Sequence, residues 1–284
     1  MPLVPTGDLV EQARAAGCAV AAFNVITLEH AEGIALGAES AGLPVILQLS
    51  ENALRFHGFP HALAAASAAV ARNSKSDISL HLDHVTDMSL MQMAPELDVS
   101  SVMYDGSHFG YAENVRNTRE AVEWGRKHGI WIEAELGEVG GKDGAHAPGV
   151  RTDPGEALEF VKATGVAALA VAVGSSHAMT SKSAALDHEL IRALSSIVPV
   201  PLVLHGSSGV PDEELTLAAR SGMVKINIGT ALNIAYTTAT RLFLDGNPSV
   251  VDPRKYLTLS RDAIASTVEH SLTTLASGAT SISV

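Results

Sequence analysis

Eight times along this chain a short run of β-branched and small apolar residues gives way to a longer amphipathic stretch. The strand-like runs are CAVAAFNV, PVILQLS, DISLHLDH, VSSVMYDGS, IWIEAELGEV, VAALAVAVGSSH, PLVLHGSSG and MVKINIGT. Helical patterns such as LEHAEGIALGAESAG and YAENVRNTREAVEWGRKHG separate them. Several helix ends carry their own punctuation: Asp153 and Pro154 open one helix, Pro211 and Asp212 another, and Gly165 and Gly222 close the same two. Eight strand and helix units predict an α/β fold of the TIM (β/α)8 barrel type, a single domain over residues 1–284. The segment from Arg241 to Val284 reads as C-terminal helical decoration with a proline-containing break at GNPSVVDPRKY. A doubly wound open sheet is the alternative, but no glycine-rich fingerprint follows the first strand.

Composition narrows the partners. With 46% hydrophobic residues the chain can bury a large core. No basic segment precedes an apolar stretch at the N-terminus, and runs such as VAALAVAV fall well short of the ~20 residues that span a bilayer. A cytoplasmic protein without a membrane partner is the expectation. The formal charge of -12, with no Lys/Arg stripe, argues against nucleic acid. A small phosphorylated ligand remains open, because backbone NH groups at glycine turns and helix N-termini can hold it. One cysteine, Cys18, excludes an internal disulfide and a thiolate cluster, so a metal would rest on the twelve histidines and the acids.

In a TIM barrel the chemistry collects at the C-terminal ends of the strands. The reactive residues of this chain fall there: Asn24, Gln48 and Ser50, Asp83 and His84, Asp105 and Ser107, Glu133, Glu135 and Glu138, His177, His205, and Asn227 with Thr230. A lone histidine at such a place is more often a core residue, but His84, His177 and His205 together make a three-imidazole zinc set with an open fourth position. Asp83 and His84 are adjacent, so strand alternation would send them to opposite faces unless the strand ends at about Asp83, which is the assumption here. His81 reads as a structural residue one layer deeper. His30, His57, His61, His128, His188 and His270 read as surface residues. The turns HGSSGVP and INIGTAL, after the seventh and eighth strands, put Gly206, Ser207, Ser208, Gly229 and Thr230 where this barrel usually binds phosphate. The long glycine-rich loop from Gly137 to Pro154 reads as a lid.

In order and spacing, HLDH, VMYDGSH, EAELGEVGG, AVGSSHAMT, VPLVLHGSSGVP and KINIGT resemble the class II fructose-bisphosphate and tagatose-bisphosphate aldolase family, over most of the chain. The resemblance implies reversible cleavage of a ketose bisphosphate to dihydroxyacetone phosphate and an aldehyde. It implies zinc on His84, His177 and His205, a second or exchanging metal position at Asp105 and Glu135, and Asp83 as the acid that protonates the aldehyde oxygen during cleavage. Gly206, Ser207, Ser208, Asn227, Gly229 and Thr230 would hold the phosphate and hydroxyls, with Asn24 and Ser50 as further substrate contacts. A homodimer or homotetramer is also implied.

Three positions depart from the family pattern. Ala178 follows His177 where a glycine backbone often contacts the phosphate and a monovalent cation. Lys142 and Asp143 stand where the lid commonly carries an acidic pair, so Asp143 is the candidate for the residue that moves the substrate C1 proton, with Glu138 in reserve. Ala231 replaces an acid after the last signature threonine. The sugar could be fructose bisphosphate, tagatose bisphosphate or a deoxy-acid phosphate. Two rival readings remain. Lys225, on the strand face of Asn227, could form a metal-free Schiff base, against an interior ion pair with a strand carboxylate, which is preferred. The barrel could also be a non-catalytic sugar-phosphate-binding subunit.

Overall fold

The structure, a computed structural model, describes residues 3–136, 151–175, 182 and 184–277. Strands β1 (Val20–Asn24), β2 (Val45–Ser50), β3 (Ile78–Val85), β4 (Ser101–Tyr104), β5 (Trp131–Glu135), β6 (Ala168–Ala170), β7 (Leu202–Leu204) and β8 (Met223–Ile228) are all parallel and close into a barrel in sequence order. Helix α1 (Thr6–Ala15) precedes the barrel, and Leu9 and Val10 pack against Val20, Ala22, Ile46 and Val224. That contact closes the N-terminal end of the barrel with apolar side chains.

Helices α2 (Leu28–Ala41), α3 (Glu51–Phe56), α4 (Pro60–Asn73), α5 (Met88–Gln92), α6 (Tyr111–His128), α7 (Pro154–Thr164), α8 (His188–Ile197) and α9 (Asp212–Ser221) lie between successive strands. The local punctuation works as chemistry: the Asp153 side chain accepts from Glu156 N–H at the start of α7, and Gly165 ends it at φ 71°. After β8 the chain forms α10 (Thr230–Gly246) and α11 (Arg254–Ala276), so the C-terminal helices begin well before the expected Arg241, which falls inside α10, while the break lies where the prolines fall. α11 packs on α2, α9 and β1 and buries Ile264, Val268, Leu272 and Leu275. α10 buries only Leu232. The close approach of α2 to α11 depends on Gly33 and Gly37, where an added Cβ would lie 2.8 Å from Arg261 O and 2.5 Å from Ala265 O.

The inward positions change character along the barrel. Toward the N-terminal end they are mostly apolar, with Ser79 beside Ile46, whereas Gln48, His81, Glu133 and Lys225 form a buried polar layer below the C-terminal mouth. Parallel strands covered on both faces are expected to be apolar throughout. A polar layer there is tolerable only because its members pair with one another.

Two expectations are corrected. β3 does not end at Asp83 but runs to Val85. Its pairing with β4 steps from Leu82 opposite Val102 to Val85 opposite Tyr104, one extra residue on β3, and His84 takes φ 48°. This bulge, rather than the end of the strand, frees adjacent residues from strict alternation. His30 is not a surface residue. It is 3% exposed, hydrogen-bonded through Nδ1 to Thr27 Oγ1 at 3.1 Å and stacked on Tyr236 of α10. Among the described residues no helix is long and apolar enough to cross a membrane.

Candidate active site

The β3 bulge needs support, because a non-glycine residue at positive φ costs about 1–2 kcal/mol. Glu51, buried at the start of α3, supplies it: Oε2 accepts from Thr86 N–H at 2.6 Å and from Asp87 N–H at 3.3 Å. Ser50, the last residue of β2, accepts from Ala53 N–H and caps the same helix. The turn after β3 is therefore clamped from the neighbouring β2 unit.

His84 then points across the mouth toward His205, just beyond the end of β7. His84 Nε2 lies 3.0 Å from His205 Nδ1, with the rings edge to face. Behind His84, Nδ1 is 2.8 Å from Asp105 Oδ2, and Asp105 is itself held by Ser107 N–H and Oγ. Behind His205, Nε2 is 3.0 Å from Glu133 Oε1. Asp83 is buried, and its Oδ1 has no hydrogen-bond partner.

The electrostatics follow from this crowding. Burial works against a charged His84, but Asp83, Asp105 and Glu135 outweigh it and raise the imidazole to about 10. Burial likewise works against an ionised Asp105, yet hydrogen bonds from His84 and Ser107 hold its carboxyl well below the usual range. Burial pushes the Asp83 carboxyl up, only partly opposed by His84 and Lys225. His81, wholly buried with Nδ1 on Ser101 Oγ at 2.7 Å, is pushed well down by burial and by Lys225.

Asp83, His84 and His205 floor a cavity of about 410 Å³, walled by Asn24, Ser50 and Asn227. Its far side is the turn Gly206 to Ser208 and the first turn of α10 at Gly229 and Thr230. Ser208 Oγ accepts from Ala231 N–H at 3.1 Å and ties the two together, and Ser207 Oγ donates to Asn227 O. An added Cβ at Gly229 would stand 2.8 Å from Asn24 Oδ1, so only glycine lets the backbone pass there. A helix N-terminus opening onto a cavity is suited to an anion.

Donor atoms of Asp83, His84 and His205 lie within 4.8 Å of one another, as do those of His84, Asp105 and Glu135. The residues fit a metal: two imidazole nitrogens face each other at 3.0 Å beside a buried carboxylate oxygen that lacks a partner. The expected members Glu138, Asp143, His177 and Ala178 lie outside the described residues. The model of the family described as fructose-bisphosphate aldolase class-II matches residues 4–279. The chain belongs to the class II fructose-bisphosphate aldolase family. Its chemistry is that of an aldolase, a carbon–carbon lyase.

Named relatives agree with this membership. The fructose-bisphosphate aldolase of Geobacillus stearothermophilus is 38% identical over 272 residues, covering 94% of this chain and 95% of that one. The crystal structure of the YdjI aldolase from Escherichia coli K12 superposes with a TM-score of 0.83 at 29% identity, covering 97% of this chain and 98% of that one. The fructose-bisphosphate aldolase of Campylobacter jejuni, at 20% identity, shares the fold with a TM-score of 0.80 over 96% of this chain and 95% of that one.

In this aldolase Lys225 has the ion-pair environment preferred from the sequence. Its Nζ is 2.9 Å from Glu133 Oε2, with both side chains 0% exposed. Two residues carry more of the site than sequence reasoning assigned them. Glu133 had a readable signal, since alternation puts it on the face of Glu135. Glu51 had none, because its partners lie in a turn 35 residues away.

Proposed function

We propose that this aldolase reversibly cleaves a ketose 1,6-bisphosphate, fructose or tagatose, into dihydroxyacetone phosphate and glyceraldehyde 3-phosphate, with one zinc ion on His84, His205 and His177. The observation that carries this reading is the facing pair His84 Nε2 and His205 Nδ1, 3.0 Å apart below a cavity that ends at a helix N-terminus. Imidazole donors without thiolate suit a catalytic zinc. Asp105 and Glu135 offer an exchanging position that shares His84.

A zinc ion in this place supplies a Lewis acid for the ketone oxygen. The chain's own residues do the rest. Backbone NH groups of the Gly206 to Ser208 turn and of the start of α10 hold the phosphate of the dihydroxyacetone half. Asn227, Asn24 and Ser50 line the path of its hydroxyls. Proton balance sets the direction in which Asp83 works. Cleavage removes the proton of the hydroxyl that becomes the aldehyde oxygen, so Asp83 accepts it at Oδ1 and returns it during condensation. The acid role expected from the sequence belongs to condensation. Asp143, with Glu138 in reserve, remains the candidate for the carbon proton, and a monovalent cation beside Ala178 the candidate for charge balance at the phosphate.

A homodimer or homotetramer is supported by α10, which packs on α11, exposes Ile234 and Leu242, and carries no charge besides Arg241 and Asp245. Light scattering reports the assembly directly.

The decisive experiment is cleavage of fructose and tagatose 1,6-bisphosphates in a coupled assay, with and without chelator, followed by zinc add-back. Loss on chelation and recovery with zinc is the expected result, and the two rates rank the sugars. Activity that survives complete metal removal would overturn the reading.

A further inference from the structure

Below the cavity floor, Glu133 joins the metal site to the barrel interior. One carboxylate oxygen, Oε1, is 3.0 Å from His205 Nε2, and the other, Oε2, is 2.9 Å from Lys225 Nζ. The Lys225 ammonium also reaches Gln48 Oε1 at 3.4 Å, and Gln48 Nε2 donates to Asn24 Oδ1 at 3.1 Å, back on the cavity wall. A carboxylate only accepts, so the neutral His205 ring that meets Glu133 must carry its hydrogen on Nε2. Nδ1 is then left with a lone pair, and Nδ1 is the nitrogen that faces His84.

One contact bears on this choice. Asn227 Nδ2 lies 3.0 Å from His205 Nε2, while Asn227 Oδ1 is buried with no partner. Rotating that amide by 180° exchanges the two atoms, satisfies Oδ1 and gives Nε2–H a second acceptor. Both neighbours then favour the same tautomer.

We propose that Glu133, held in place by Lys225, is a positioning residue that fixes His205 in its Nε2–H form and aims Nδ1 at the metal. This rests on the metal site proposed above. In the general pattern, a carboxylate behind a ligating imidazole sets its tautomer and strengthens it as a ligand. Here the carboxylate has a cation of its own behind it. The pair also accounts for a lysine that is 0% exposed inside the barrel, where an unpaired ammonium would be costly.

The test uses the full chain. Zinc affinity is measured by competition with a chromophoric chelator, and the visible spectrum is recorded after cobalt loading, for the parent, Glu133→Gln and the double variant Glu133→Gln/Lys225→Met. The double variant removes both charges, so no lone ammonium is left buried if the single variant fails to fold. The expected result is a folded double variant whose zinc affinity falls about 10–100-fold, with altered cobalt bands. Unchanged affinity and bands in that folded variant would overturn the proposal. Should both variants fail to fold, long-range proton–nitrogen NMR of the histidine-labelled, metal-free parent decides. A Nε2–H signature for His205, identified by its loss in His205→Gln, supports the proposal and Nδ1–H overturns it. A parent that binds no metal would instead remove the metal-site reading on which this one stands.

Discussion

His84 Nε2 and His205 Nδ1 lie 3.0 Å apart although 121 positions separate them in the chain. Each ring is backed at its other nitrogen by a carboxylate, Asp105 for His84 and Glu133 for His205. Two such nitrogens converge on one point only if both are ligands or one carries a bridging hydrogen. With zinc as the occupant, His84→Ala and His205→Ala lose bound metal and aldol cleavage together, and added zinc restores neither. Metal content by atomic emission beside the coupled assay checks this.

If the zinc rests on the three imidazoles, Asp83 is separable from metal binding. Asp83→Ala is expected to keep the zinc content of the parent while cleavage falls by about 10²–10⁴, the usual worth of a positioned proton-transfer group. A variant as active as the parent would mean that another residue handles the aldehyde-side proton.

The clamp on the β3 turn predicts a functional effect from a residue outside the chemistry. Glu51→Ala leaves the Thr86 and Asp87 N–H groups without their acceptor, at a cost of about 1–3 kcal/mol. Because His84 is two residues away, kcat/KM should drop more than in a variant equally destabilised elsewhere. Gly37→Ala serves as that comparison.

At Gly37 an added Cβ meets Ala265 O at 2.5 Å and Val268 Cβ at 2.7 Å, so α2 and α11 would have to separate. Gly37→Ala is expected to lose about 1–3 kcal/mol by urea unfolding. Gly246→Ala, which meets nothing within 4 Å, should lose none.

His30 gives a pH dependence of stability. Burial lowers its pKa, with Asn233 and Glu29 only partly opposing. The folded pKa is thus below the unfolded value of about 6.5, and the unfolded chain takes up the proton first. The His30 contribution to stability should be flat above about pH 6.5 and fall as pH drops toward the folded pKa, by at most about 1.4 kcal/mol per pH unit. Urea unfolding at about pH 7.5 and about pH 5.5 should show a smaller loss in His30→Gln than in the parent.

The barrel and the level of its chemistry were legible in the sequence because their causes are local. A strand that alternates, a capping Asp153 and a closing Gly165 act within a few residues, and together they place Asp105 and Glu135 at the same mouth as His84. What only the tertiary structure decided has distant causes. Whether β3 ends or bulges at His84 depends on its pairing with β4 and on Glu51 in the β2 unit. The burial of His30 depends on Tyr236, which reaches it from α10. For Lys225 the sequence favoured an interior ion pair with a strand carboxylate without saying which one, and the tertiary structure made it Glu133. Two opposite charges can be buried there only as partners, and barrel closure is what brings β5 and β8 within reach across its interior.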